Sequence, residues 1–105
     1  DDVGWAARAL KAGWKIRFEP RAVVLHSHRY SPGRAYQRYK IDAAFHREQF
    51  GTRIRPSLWS VARGIAYEVR EDCRHIARHG GAVHLLRSPF LRAAQVFGQY
   101  AGSRG

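Results

Sequence analysis

Four groups of residues have side chains able to do chemistry, and each has a plainer reading beside it. Asp1 and Asp2 stand together ahead of a run with helical spacing. Paired carboxylates there can act as a general base, hold a cation, or cap the helix, and spacing alone favours the cap. His26-Ser27-His28 follows a continuous apolar run. In a strand, residues i and i+2 share a face, so both imidazoles could reach one metal ion. Cys73, His75 and His79 fall on one predicted helix, with His75 and His79 one turn apart. A zinc site is the sharper reading. The plainer one places Cys73 in an apolar stripe and His79 at a helix C-terminus that favours its cation. Finally, Arg29, Arg34, Arg38 and Lys40 are able to bind a diphosphate or to form a solvated face.

These groups need elements to position them. Val3, Ala6, Ala7 and Leu10 have helical spacing, and Gly13 suits the residue after a helix end. Trp14, Ile16 and Phe18 alternate with polar residues, which predicts a half-buried strand over residues 14–18. Glu19-Pro20 breaks it. Residues 22–26, Ala-Val-Val-Leu-His, predict a second strand, buried on both faces. Ser31-Pro32 opens a helix with Tyr36, Tyr39, Ala43 and Phe50 on one face, and Gly51 stops it. Pro56-Ser57 opens a longer helix whose stripe is Leu58, Ala62, Ile65, Val69, Cys73 and Ile76. Gly80-Gly81 ends it. A last helical stretch spans residues 82–101, restarted at Ser88-Pro89, with Leu86, Phe90, Ala94 and Phe97 on one side. The expected fold class is α/β: helix, two strands, then three or four helices.

Two strands alone are marginal in water, and a strand buried on both faces needs neighbours on each side. The chain has 105 residues, contains no methionine and opens on Asp1-Asp2 directly into helical sequence. The expectation is therefore a piece of a longer protein, with a sheet continued in an absent N-terminal part. At 45 % apolar and 26 % charged residues the composition is that of a folding chain. None of its apolar runs approaches the ~20 residues a spanning helix needs, and no basic-then-apolar leader is seen. A single cysteine excludes an internal disulfide.

Nineteen Lys/Arg against eight Asp/Glu give a net charge of +11. That balance favours acidic partners: nucleic acid, anionic lipid or a phosphorylated substrate. The charge is spread rather than clustered, +5 over residues 1–52 and +6 beyond. Only Lys11, Lys15 and Lys40 are lysines. An arginine-heavy surface suits planar phosphate or carboxylate recognition, and a GC-rich genome would produce the same bias.

Taken in order, the acidic pair, the turn Ala12-Gly13-Trp14-Lys15-Ile16 and the string Pro20-Arg21-Ala22-Val23-Val24-Leu25-His26-Ser27-His28 resemble the C-terminal half of the catalytic domain of family 2 glycosyltransferases. The bacterial rhamnosyltransferase-like enzymes are the subgroup most like it. The resemblance is carried by residues 1–31 and is looser through residues 34–51, where an aromatic- and arginine-rich helix is usual. It implies a GT-A fold, with residues 1–51 the C-terminal portion of the catalytic domain and residues 52–105 a helical extension. Asp2 would be the base that deprotonates the acceptor hydroxyl. Asp1 stands beside it where Glu is usual. His26, with His28 as rival, would touch a divalent cation, Mg or Mn, on the donor diphosphate, and Arg29, Arg34 and Arg38 would be phosphate contacts. This chemistry is coherent: sugar transfer needs a carboxylate base, and a cation steadies the departing diphosphate.

The implied partners are a nucleotide-sugar donor, a lipid-linked or saccharide acceptor, and the missing half of the same domain. The implied setting is bacterial cell-surface polysaccharide synthesis, in the cytoplasm, with a peripheral contact on the inner membrane face. No Asp-x-Asp metal motif occurs in these residues, so the piece by itself is expected to be inactive. Trp59, Tyr67, Phe90, Phe97 and Tyr100 lie among arginines, a pattern that either packs helices together or rests on an anionic membrane. The rival class is a small basic nucleic-acid-binding module. Spread charge and the lack of a zinc-finger, homeodomain or RNP string count against it.

Overall fold

In the computed structural model, which describes residues 2–105, the chain is all-helical. Its helices are α1 (Asp2–Lys11), α2 (Pro32–Phe50), α3 (Leu58–His79) and α4 (Ser88–Arg104), with one 3-10 turn at Ala82–Leu86. Asp1 lies outside the described residues.

The helix ends obey local rules. Gly13 takes φ +91° after α1, and the Trp14 N–H donates back to the Ala9 carbonyl at 3.0 Å, a Schellman closure. Ser31 caps α2 by accepting from the Arg34 N–H at 3.3 Å, with Pro32 in the first turn. Gly51, at φ 66°, ends α2 and donates to the Arg47 carbonyl at 2.9 Å. Ser57 and Ser60 form a reciprocal capping box at the start of α3, each hydroxyl accepting from the other's N–H at 3.2 Å.

The two expected strands are absent among the described residues, and the α/β expectation is corrected to all-α. Residues 14–18 and 22–26 run without a ladder, over a local turn in which the Glu19 carboxylate accepts from both the N–H and the Nε of Arg21. The alternation that predicts a strand is real, but no neighbouring strand is present to pair with it. Phe18, Val24 and Leu25 are accordingly almost fully exposed, Leu25 at 104 %. An unpaired apolar strand gains neither ladder hydrogen bonds nor burial, so the segment stays irregular.

The tightest packing is between α2 and α4. Gly98 and Gly102 lie one turn apart on α4 against the α2 backbone. A methyl at position 98 would stand 3.2 Å from the Lys40 nitrogen and closer still to the Tyr36 carbonyl. One at position 102 would stand 2.9 Å from the Ala43 Cβ and closer still to the Lys40 carbonyl. Small residues let two helix backbones approach in this way. Ala35 and Ala43 on α2 are fully buried at the crossing, with Val96 of α4. The buried apolar core is completed by Val61 of α3. At the N-terminal end, the buried Gly4 of α1 lies against the Phe45 ring of α2.

The faces that pack are not those read from apolar stripes. On α3, Leu58 and Cys73 are exposed, while Val61 and Gly64 are buried and Asp72 turns toward α4. On α4, Leu86 just before the helix, Phe90 and Phe97 are exposed, while Gln95, Gly98 and Ser103 are buried. Small and polar residues thus make the helix contacts, and the larger apolar side chains face outward. The total accessible surface is 8539 Å², against roughly 6,000 Å² for a compact chain of 12.0 kDa. The radius of gyration is 16.3 Å, where about 13 Å is usual for this length. Much apolar surface is therefore left without a partner inside this chain.

Candidate functional site

A cleft of about 600 Å³ lies where residues 28–30 meet the C-terminal end of α3, the 3-10 turn and the start of α4. Each wall is placed by a specific contact. Arg87, the residue before α4, donates through Nη2 to the Tyr30 carbonyl and so ties the extended segment to the helical part. The His28 ring stacks on Tyr30 at 5.2 Å, and His26 meets His28 edge-on at 4.2 Å. On α3, His75 and His79 stack at 4.3 Å, one turn apart, and the His79 Nδ1 lies 3.1 Å from the His75 carbonyl. His84 comes from the 3-10 turn.

One acidic side chain, Asp72, lines this cleft, and it is already engaged. Arg92 donates to both of its oxygens, Nε at 2.7 Å and Nη2 at 2.6 Å, and the Ser88 hydroxyl donates as well. The Arg92 hydrogen bonds hold the Asp72 carboxyl below the usual carboxylate range, against the partial burial that would raise it. Arg92 is further held by Gln95 at 2.9 Å and by Glu68 at 3.5 Å. The cleft is further lined by Arg29 and Arg87 and by four imidazoles, His28, His75, His79 and His84, together with Tyr30, Ile76, Leu91 and Gln95.

Of the residues singled out from sequence, the structure brings His28 and Arg29 together with His75 and His79 around this cleft. His26 touches it only through its contact with His28. Asp2 sits in the first turn of α1, where its Oδ1 accepts from the Val3 N–H at 2.9 Å, and it does not line the cleft. Asp1 is not among the described residues. Arg34 and Arg38 lie on α2 away from the cleft, and Arg38 pairs with Asp42 one turn on at 3.2 Å. Among the described residues no group of three or more His, Cys, Asp or Glu side chains could hold a metal ion. His26 and His28 thus offer two imidazoles without a third protein ligand among the described residues. Sequence reasoning missed His84, Arg87 and Asp72. The Ser88-Pro89 helix start, two glycines after α3, marks the bend that gathers them.

A second groove of about 530 Å³ runs along α3, lined by Trp59, Arg63, Tyr67 and Arg70. Arg55 forms its floor: its side chain covers Gly64 and donates to Gln99 at 3.0 Å and to the Ser60 carbonyl at 3.2 Å. Trp59 and Tyr67 are exposed. No helix among the described residues is long and apolar enough to cross a membrane.

No family model matches the chain, and no solved structure matches it. Two curated proteins are similar over 46 residues, 44 % of this chain. The O-antigen chain rhamnosyltransferase RfbN of Salmonella typhimurium is 41 % identical there, and the O-antigen chain rhamnosyltransferase WbaN of Salmonella anatum 44 %. The matched segment spans 15 % of the length of each relative. That similarity supports a glycosyltransferase-like region within the chain, and nothing finer.

Proposed function

We propose that this chain is part of a glycosyltransferase of the rhamnosyltransferase type, moving a sugar from a nucleotide-sugar donor to an acceptor hydroxyl in bacterial surface polysaccharide synthesis. The observation that carries the reading is the 46-residue similarity to two O-antigen chain rhamnosyltransferases. The ordered residues from the acidic pair to His28 agree with it. In this reading Asp2 takes the proton of the acceptor hydroxyl, with Asp1 beside it. Arg29, Arg34 and Arg38 face phosphate oxygens, and the acceptor is a saccharide or a lipid-linked saccharide. A divalent cation, Mg or Mn, would take one imidazole from this chain, His26 or its rival His28. Its other ligands would come from the donor and from the rest of the protein. When bound it supplies charge stabilisation for the departing diphosphate.

The exposed apolar residues Trp14, Ile16, Phe18, Val23, Val24 and Leu25 are then the surface that the rest of the protein covers. The work is cytoplasmic in this reading, with the outward aromatics Trp59 and Phe90, among arginines, resting on the inner membrane face. The deciding experiment is sugar transfer by the longer protein, with and without Asp2→Asn. Loss of transfer with donor binding retained supports the reading, and an unchanged rate refutes the role of Asp2.

A further inference from the structure

We propose that the cleft at the α3–α4 junction binds a phosphate or diphosphate group directly, through side chains that belong mainly to the helical part of the chain. The inference goes beyond the sugar-transfer reading, because His75, His79, His84 and Arg87 have no part in it. The cleft's one acidic lining residue, Asp72, is occupied by Arg92 and Ser88, so it does not repel an entering anion. Arg29 and Arg87 bring fixed positive charge, and the guanidinium fork suits phosphate oxygens. The four imidazoles come from three separate parts of the chain: His28 from the extended segment, His75 and His79 from α3, and His84 from the 3-10 turn. Such convergence is not a by-product of one helix face.

The His75 and His79 rings lie 4.3 Å apart. At about 600 Å³ the cleft has the size of an ordinary small-molecule site and is larger than a bare phosphate needs. A diphosphate carrying a further group, a nucleoside or a lipid, fits the volume. The cationic rim accounts for the phosphate part alone.

The test is calorimetric titration of the 105-residue chain with inorganic pyrophosphate, with uridine diphosphate, and with vesicles containing phosphatidic acid. Saturable one-to-one pyrophosphate binding is expected. The double variant His79→Gln/His84→Gln leaves the Arg87 bond to Tyr30 in place and should weaken binding about tenfold, the loss of one to two charge-assisted hydrogen bonds. Arg87→Ala should weaken it at least as much. Arg63→Ala/Arg70→Ala removes two fixed charges from the α3 groove, one more than Arg87→Ala removes from the cleft, and should still change affinity less than about twofold, the size of an exposed, screened charge effect. Circular dichroism of each variant reports whether the helices persist. Tighter binding of uridine diphosphate than of pyrophosphate assigns a nucleotide source, and preferential vesicle binding assigns a lipid headgroup. Absence of saturable binding overturns the proposal, as does equal weakening by the groove variant, which would mark diffuse attraction to a cationic chain. Either failure leaves the role of Asp2 in sugar transfer standing, because Asp2 lies outside the cleft and is tested by transfer rate; the two readings share only His28 and Arg29.

Discussion

Arg92 of α4 grips both carboxylate oxygens of Asp72 on α3, at 2.7 and 2.6 Å, and this pair is the main polar tie between the two helices. Both side chains are about three-quarters buried, 26 % and 23 % exposed. Asp72→Asn keeps the shape and removes the charge, leaving Arg92 with Glu68 at 3.5 Å as its carboxylate partner and Gln95 at 2.9 Å as a neutral one. A loss of roughly 1–2 kcal/mol at pH 7 is expected, on the scale of a charge-assisted hydrogen bond at a partly buried site. Because the Asp72 carboxyl titrates lower in the folded chain than in the unfolded one, its contribution is complete above the ordinary aspartate range near ~4. It drains away as pH falls through that range and then through the lower folded value. Thermal unfolding from pH 7 to pH 3 should therefore show the gap between the parent and Asp72→Asn narrowing with acid. A gap that stays constant would mean that the carboxylate charge contributes nothing.

Gly102 sits so close to the α2 backbone that its substitution is the sharpest probe of the helix crossing. Gly102→Ala must push α4 away from Lys40 and Ala43 and should cost at least about 2 kcal/mol by overpacking. Gly98→Ala should behave alike. Gly33, in the first turn of α2, has open space around it, and Gly33→Ala should change stability by no more than about 0.5 kcal/mol. Chemical denaturation of the three variants tests the contrast. Equal midpoints would show that α2 and α4 do not cross at Gly98 and Gly102.

Helix boundaries were legible in the sequence because they rest on local chemistry. Ser31-Pro32, Gly51, Pro56-Ser57 and Gly80 mark ends that neighbouring residues alone determine. The packed faces were not legible. An apolar stripe predicts burial only when the chain contains the surface that covers it, and Leu58, Phe90 and Phe97 find no cover here. The crossing of α2 and α4 instead uses Gly98, Gly102, Ala35 and Ala43, whose small size shows only against a partner backbone. The strands failed for the same reason, since Trp14 to Leu25 have strand spacing without a sheet. Of the cleft, His28, Arg29, His75 and His79 could be read as candidates but not as neighbours. Arg87 joins them through a bond to Tyr30, 57 residues away in sequence.

Residues 14–30 should be the first part of the chain to yield to protease. They form no helix or strand, and their hydrogen bonds are local apart from Arg87 to Tyr30. Segments with few buried contacts open at little cost. Brief trypsin treatment should cut after Lys15, Arg17 or Arg29 before any cut within α2 or α4. Arg21 is excluded from this expectation because its side chain pairs with Glu19. First cleavage inside α2, at Arg34 or Arg38, would contradict the described packing.

Asp2 tests the sugar-transfer reading most directly, because its carboxylate has a plain alternative role. Its Oδ1 accepts from the N–H of the next residue, Val3, and the first turn of a helix favours negative charge. If that is its whole duty, Asp2→Asn costs the chain no more than about 1 kcal/mol and leaves transfer by the longer protein intact. If it is the base, the same substitution lowers kcat by about 10²–10⁴ while donor binding is unchanged, because asparagine cannot accept the proton. Asp2→Glu keeps a carboxylate and should restore part of the rate in the second case only. The 105-residue chain alone should hydrolyse no donor with any cation, since its two neighbouring imidazoles find no third ligand among the described residues. Measurable cation-dependent turnover by that chain would show that these residues hold a complete centre, and would refute the assignment of the remaining ligands to other parts of the protein.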